Sequence, residues 1–329
     1  MSRLERIWYR GGVGTIPLLP ISWLFRLVVT ARRWLYRHGW LTVHHFPAPL
    51  IVVGNITVGG TGKTPFVIWL VNFLRQNGYK PGVVSRGYGG SATVWPQHVS
   101  PDSDPALVGD EAVLLASRCL CPMVVAPERS AAVTALLDSG DCDIVVADDG
   151  LQHYAMGREI EIVIIDGERR FSNEQLLPAG PLREPVARLN SVDLCIVNGE
   201  AATAGEYSMS VTQCSLYNLR KPLEHQAISR FSGQSVHAIA GIGNPEKFFD
   251  LLRNAGIEVI AHPFADHHIY RAEELLFNDD LPIVMTEKDA VKCSQFEGAN
   301  LWVVAIEMSP EQQVEAQLLC LLHNVTANN

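Results

Sequence analysis

One junction restricts what this chain can fold into more than any other part of it. Leu50-Ile51-Val52-Val53-Gly54-Asn55 is a short β-branched run that breaks at glycine and reads as a buried strand. A glycine-rich loop follows, Thr57-Val58-Gly59-Gly60-Thr61-Gly62-Lys63-Thr64, and then Pro65. Beyond it, apolar residues at 66, 67, 70, 71 and 74 keep helical spacing. Proline is tolerated in a helix's first turn, where its missing N–H is no loss. Gly78 closes the helix and Pro81-Gly82-Val83-Val84-Ser85 begins another strand. Strand, glycine loop, helix, strand is a βαβ unit, which commits the chain to a parallel sheet covered by helices.

The rest of the chain repeats these signals. Buried strands are expected at Met123–Ala126, Asp143–Ala147, Ile160–Ile165 and Asp193–Val197. The small, polar stretch Gly199–Ser208 reads as a connection, and Ser235–Ala240 opens a second βα series with strands at Ile257–Ala261, Leu281–Thr286 and Leu301–Ala305. A length of 329 residues predicts two domains. The expectation is therefore an α/β protein: a P-loop NTPase-type parallel sheet flanked by helices over 41–215, a second smaller α/β domain over 216–329, and an N-terminal membrane-association segment over 1–40. Hydrophobic residues at 47% and charged residues at 19% supply a real core and exclude a disordered or coiled-coil chain. Seven scattered cysteines with no CxxC pair argue against a disulfide framework or a structural zinc site, and for a reduced cytosolic setting.

The net charge of −9 disfavours wholesale nucleic-acid binding, but it hides an asymmetry. Residues 1–50 hold seven arginines (Arg3, Arg6, Arg10, Arg26, Arg32, Arg33, Arg37) against Glu5, a charge of +6, so the remainder carries −15. Between them Thr15–Val29 is apolar but interrupted by Pro17, Pro20 and Arg26, a poor pattern for a spanning helix. No small-residue cleavage site follows, so a secretory signal is not indicated. Two readings stand: an interfacial helix with Trp8, Tyr9, Trp23, Phe25, Trp34 and Tyr36 at headgroup depth and arginines on anionic lipid, or a helix packed on the body with arginines in water.

Gly62-Lys63-Thr64 at a strand-to-helix junction is the pattern of a nucleotide-phosphate site. Loop N–H groups and the helix dipole attract anions, the lysine reaches the β/γ-phosphates, and the threonine hydroxyl can hold Mg²⁺. Thr57, Gly59, Gly60, Thr61, Gly62, Lys63 and Thr64 are the candidate phosphate contacts, although Thr57 stands where the general motif has glycine. Asp148 and Asp149 end an apolar strand, which puts carboxylates at the sheet's C-terminal edge beside the loop, to bind the metal or merely to cap the strand. Asp110 and Glu111 precede an apolar helix, where they can cap it or serve the chemistry. Asp266-His267-His268 and His153 are further candidates for proton handling. Arg86, Arg129 and Arg183 sit in loops after strands, suited to a phosphorylated substrate or simply to solvent.

Taken together, these segments resemble the tetraacyldisaccharide 4′-kinase family. The carriers are Val53-Gly54-Asn55 through Pro65, Ser85-Arg86-Gly87-Tyr88-Gly89, Gly109-Asp110-Glu111, Asp148-Asp149-Gly150-Leu151-Gln152-His153, Pro178–Glu184, Asp266-His267 and Met285–Lys292. The resemblance implies a transferase that uses ATP and Mg²⁺ at the cytoplasmic face of the bacterial inner membrane. It would phosphorylate the 4′-hydroxyl of a tetraacyldisaccharide 1-phosphate to form lipid IV-A in lipid A biosynthesis, without an obligate protein partner. It further implies that Asp110 is the catalytic acid/base helped by His267, that Thr64, Asp148 and Asp149 serve the metal, and that Arg86, Glu111, Arg129, Arg183 and Glu184 line the cleft. Two rivals are a nucleotide switch docked on membranes and a soluble small-molecule kinase. Thr286-Glu287-Lys288-Asp289 lacks the residue between lysine and aspartate that guanine reading needs.

Overall fold

Ile51, Val52 and Val53 are fully buried on both sides of Leu50–Gly54 (β1), which only an interior strand of a helix-covered parallel sheet allows. The computed structural model describes residues 8–9, 13–296 and 300–327; Arg3, Glu5, Arg6 and Arg10 of the basic segment lie outside them. β1 pairs in parallel with β5 (Ile144–Asp148) and β6 (Ile160–Asp166). The remaining strands are β2 (Pro81–Ser85), β3 (Gln97–His98), β4 (Met123–Val125), β7 (Leu194–Asn198), β8 (Glu206–Asn218), β9 (Lys221–Ala227), β10 (Ser235–Ala240), β11 (Glu258–Pro263), β12 (Ile283–Thr286) and β13 (Leu301–Pro310). The helices are α1 (Leu19–Arg37), α2 (Lys63–Gln76), α3 (Pro105–Val108), α4 (Asp110–Cys119), α5 (Arg129–Asp138), α6 (Pro245–Asn254), α7 (Glu287–Cys293) and α8 (Gln312–Ala327).

All of the strands join one sheet in the order β11-β10-β12-β13-β8-β7-β6-β1-β5-β2-β4-β3, with β9 attached to β8. The stretch expected as a plain connection contains the start of β8, which stitches two lobes together. Cys195–Asn198 of β7 pair in parallel with Glu206–Met209, and the rest of β8 runs antiparallel to β13. Position 215 therefore falls inside a strand.

Helices cover both faces. In the first lobe α2, α4 and α8 bury Phe66, Leu70, Leu115, Val314 and Leu318 on one side, and α5 buries Val133 and Leu136 on the other. At about 25 cal/mol per Å², each such side chain contributes roughly 1.5–3 kcal/mol of transfer free energy. α6 and α7 do the same for the second lobe through Phe249, Leu252, Ala290 and Cys293. α8 comes from the C-terminus yet packs on the first lobe, so the chain ends where its core began.

α1 follows a 3₁₀ turn, Val13–Leu18, and stands apart. Ser22 is its buried residue, donating to the Leu176 carbonyl at 2.8 Å, while Ile21, Trp23, Leu24, Leu27, Val28 and Trp34 are exposed. Arg32 and Arg33 reach back to the Gln152 carbonyl and to Ser191. The helical stretch Gly14–Arg37 is, by length and composition, sufficient to cross a bilayer.

Candidate active site

The loop between β1 and α2 is held from below. Asn55, fully buried, donates to the Gly59 carbonyl at 3.4 Å and to the Thr61 hydroxyl at 3.3 Å, and Asn198 donates to the Thr61 carbonyl at 3.2 Å. Arg169 ties Asp166 to the Gly60 carbonyl. Gly62 has φ +91°, and a Cβ there would lie 2.5 Å from the Asn198 amide, so only glycine fits. The helix starts at Lys63 without a side-chain cap, which leaves its first N–H groups for an anion.

This loop forms one wall of a cleft of about 1800 Å³ between the lobes. Gly59, Gly60, Gly62, Lys63 and Thr64 border it, as do Arg86, Glu111, Asp148, Asp149, Arg183, Glu184 and His267. Thr57 and Thr61 do not. Thr57 pairs with Leu182 and both threonines are buried, so their side chains brace the loop from behind. Arg129 is also buried behind the wall, donating to the Pro127 carbonyl at 2.9 Å. Burial and the nearby Arg86 push its pKa down to about 10, against the pull of Asp149 and Asp148.

The two aspartates do different things. β5 ends at Asp148, and Asp149 turns into the left-handed region with φ +50°. Asp148 is 3% exposed, accepts from Ser85 at 3.3 Å, and has an Oδ1 with no partner. Burial first, then the Glu111 charge, lifts its pKa to about 7, although Lys63 works the other way. Asp149 lies 3.4 Å from Lys63 and 3.2 Å from Arg183. Burial opposes its ionisation, but those two cations outweigh burial and hold it at about 2.

Asp110 and His267, 157 positions apart, meet within hydrogen-bond distance. Gly109, at φ +95°, lets the chain pass Tyr88, whose carbonyl oxygen would be 2.4 Å from an added Cβ. That turn starts α4 with Asp110, which is 5% exposed and turned away from open solvent. His267 Nδ1 comes from the second lobe to 3.0 and 3.1 Å from the two Asp110 oxygens. His267 has φ +60°, uncommon for a residue with a side chain, a strain of the kind that gathers at functional sites. Burial resists charge on Asp110, but the hydrogen bond from His267 and the charges of Lys288 and Lys292 keep its pKa below the ordinary carboxylate value. His267 is shifted upward, first by that same hydrogen bond. The neighbouring His268 bonds to Glu274 and His153 to Glu128, so neither joins the pair.

Glu184 turns inward, 1% exposed, to Gln152, Tyr154 and Arg188. Sequence reasoning noticed the Met285–Lys292 run but gave Lys288 no task; it stands in the cleft wall between Glu111, Asp266 and His267. Its only signal was its place within that run.

A lysine-bearing glycine loop at the C-terminal edge of a helix-covered parallel sheet, facing acids across a cleft, defines a P-loop phosphotransferase of the α/β class. Comparison with known proteins narrows this. The family model for "Tetraacyldisaccharide-1-P 4′-kinase" (LpxK) matches residues 15–323. A tetraacyldisaccharide 4′-kinase of Nitrosococcus oceani is 50% identical over 98% of this chain and 94% of its own length. One from Coxiella burnetii is 46% identical over 99% and 97%. The crystal structure of LpxK from Aquifex aeolicus in complex with ATP superposes with a TM-score of 0.80 at 26% identity, covering 93% of this chain and 99% of that one. The chain belongs to the tetraacyldisaccharide 4′-kinase family, and is a kinase of lipid A biosynthesis.

Proposed function

We propose that this chain transfers the γ-phosphate of ATP to the 4′-hydroxyl of a tetraacyldisaccharide 1-phosphate, with Asp110 and His267 as the proton-handling pair. The contact of Asp110 and His267 from opposite lobes, beside the cleft that holds the Lys63 loop, is the observation that carries the reading. In it, Asp110 orients the acceptor hydroxyl and takes its proton, and His267 holds the carboxylate in place. Lys63, with Gly59, Gly60, Gly62 and the N-terminus of α2, cradles the phosphates, and Thr57 and Thr61 keep that loop in shape. Arg86 and Arg183 face the anionic substrate from the cleft wall, with Arg129 supporting from behind and Glu111 and Glu184 completing the wall. The two lobes, joined through β8 and with α8 returned to the first, then act as two bodies whose approach assembles the site.

Thr64, Asp148 and Asp149 would hold Mg²⁺. The unpartnered Oδ1 of buried Asp148 and an all-oxygen donor set fit a hard divalent cation. Such a cation supplies charge neutralisation for the phosphates. The sign of the pH effect follows from Asp148: its pKa is raised to about 7 in the fold, so folding on this account weakens as pH rises from the ordinary carboxylate range towards 7. Added Mg²⁺ is therefore expected to raise Tm by a few degrees at pH 8 and little at pH 5.5. Asp148→Asn should lose that increment while being no less stable in chelator; an undiminished Mg²⁺ shift in the variant would remove Asp148 from the metal site.

The basic, apolar-faced α1 would lie on anionic inner-membrane lipid at the cytoplasmic face, next to an acceptor carried by the same surface. Phe25, Val28, Val29 and Arg32 of α1 border the cleft, which ties the membrane-facing helix to the site. The test uses γ-labelled ATP with the acceptor in anionic vesicles. Label is expected in the lipid-extractable product, and a chain lacking residues 1–40 should sediment less with the vesicles and transfer more slowly. Label appearing only as free phosphate would defeat the kinase reading in favour of a nucleotide switch.

A further inference from the structure

Lys288, the second residue of α7, is saturated in a way that constrains its neighbour. Its Nζ lies 3.0 Å from Glu111 Oε1, 3.0 Å from Asp266 Oδ1 and 3.3 Å from His267 Nε2. An ammonium has three N–H donors and no acceptor, so these three partners use its whole capacity. A ring nitrogen that accepts from an ammonium carries no proton. The imidazole proton must then sit on Nδ1, the atom that faces Asp110 at 3.0 and 3.1 Å.

We infer that Lys288 is a positioning residue for the phosphoryl transfer, one that fixes His267 as the neutral Nδ1–H tautomer and so keeps Asp110 an anion free to accept a proton. The inference rests on the Asp110–His267 reading proposed above. Its physical content is a competition for Nε2. Asp266 Oδ1 is 3.8 Å from that nitrogen and would favour a proton there, whereas Lys288 occupies both the nitrogen and the carboxylate. Without the ammonium, Asp266 and Asp110 flank the ring from both sides and stabilise an imidazolium. An imidazolium drains the basicity of the Asp110 carboxylate.

The other groups around the pair do not replace this function. Lys292 lies 3.7 Å from Asp110 but is held at 3.0 Å by the buried Asp289, and no contact joins it to His267. Tyr88 lies tilted against the imidazole with ring centroids 5.1 Å apart, and Glu111 is held by Lys288 itself. The His267 pKa is raised chiefly by its bond to Asp110, and the Lys288 charge pulls against that rise. Loss of Lys288 removes the counterweight, so the His267 pKa moves further upward.

The test is ¹⁵N NMR of the imidazole rings in the full chain, together with pH profiles of turnover. In the native chain His267 is expected to show a bare Nε2 and a protonated Nδ1. In Lys288→Met the His267 titration and the acid limb of kcat should rise together by about one pH unit, equivalent to a tenfold change in the equilibrium. KM for ATP should stay within about twofold, as expected when the change is confined to a step after binding. Lys288→Arg, which keeps the charge and the donors, should return the native titration. A proton on Nε2 in the native spectrum overturns the inference, whether or not Lys288→Met folds. So does a Lys288→Met chain that loses turnover with the His267 titration unmoved, since that is the mark of a mere brace between lobes. Failure of the underlying reading looks different: Asp110→Asn would then turn over normally while the native ring spectrum stayed as expected.

Discussion

Asp110→Asn is expected to lower kcat by roughly 10²–10⁴-fold, the range over which a positioned general base acts, with KM for ATP changed by no more than a few-fold. The substitution keeps the size of the side chain and leaves an oxygen to accept from His267 Nδ1, so the contact between the lobes survives. What it removes is the carboxylate that can take a proton. The loop around Lys63 is built by Asn55, Asn198 and Arg169 and makes no use of Asp110, which is why nucleotide binding should hold. The pH profile is the second readout. Asp110 ionises below the ordinary carboxylate range because His267, Lys288 and Lys292 outweigh its burial, so the acid limb of turnover in the native chain should follow the raised His267 titration and not that of a carboxylate. Near-native turnover in Asp110→Asn would end its assignment as the base and leave it as a cap for α4. Turnover restored by raising ATP alone would place its effect in binding instead of in proton transfer.

What could be read in advance follows the range of the interactions. β1, the glycine loop and α2 are local: apolar period, a glycine that tolerates positive φ, and a helix start lie within a few residues, and the structure has them as expected. The meeting of Asp110 with His267 spans 157 positions and no local pattern encodes it; the resemblance of short motifs to a family pointed to it. β8 and β9 were missed for a related reason. β8 is buried at Met209, Ser215 and Leu216 but exposed between, because it changes neighbours along its length, so neither strict alternation nor an apolar run appears. The return of α8 to the first lobe is equally non-local. Among the nominated residues, side-chain direction was the unreadable part. Thr57, Thr61 and Arg129 lie in the right segments yet point behind the wall, and Lys288 was passed over although it borders the cleft.

Lys63→Ala should damage binding and rate together, in contrast to Asp110→Asn. Lys63 is 15% exposed at the mouth of the loop, and its ammonium rests 3.4 Å from Asp149, which Arg183 holds from the other side at 3.2 Å. That arrangement keeps an anion and two cations poised where phosphates would enter, so a bound polyphosphate competes with Asp149 for the lysine. Because the ammonium attracts phosphate oxygens before and during transfer, its loss raises KM for ATP. The part of its attraction that grows as charge shifts in the transition state appears as a loss in kcat, of order 10²–10³-fold for one preorganised donor. Lys63→Arg should rescue little, since a planar guanidinium cannot occupy the site of a compact point charge at the end of the glycine loop. Asp149 supplies an internal check without turnover. Its pKa sits at about 2 because Lys63 and Arg183 overcome burial, so removing Lys63 must move its titration upward. A Lys63→Ala chain with that upward shift but native KM and kcat would show that the lysine only neutralises Asp149, and phosphate holding would then fall to the loop N–H groups and Arg183.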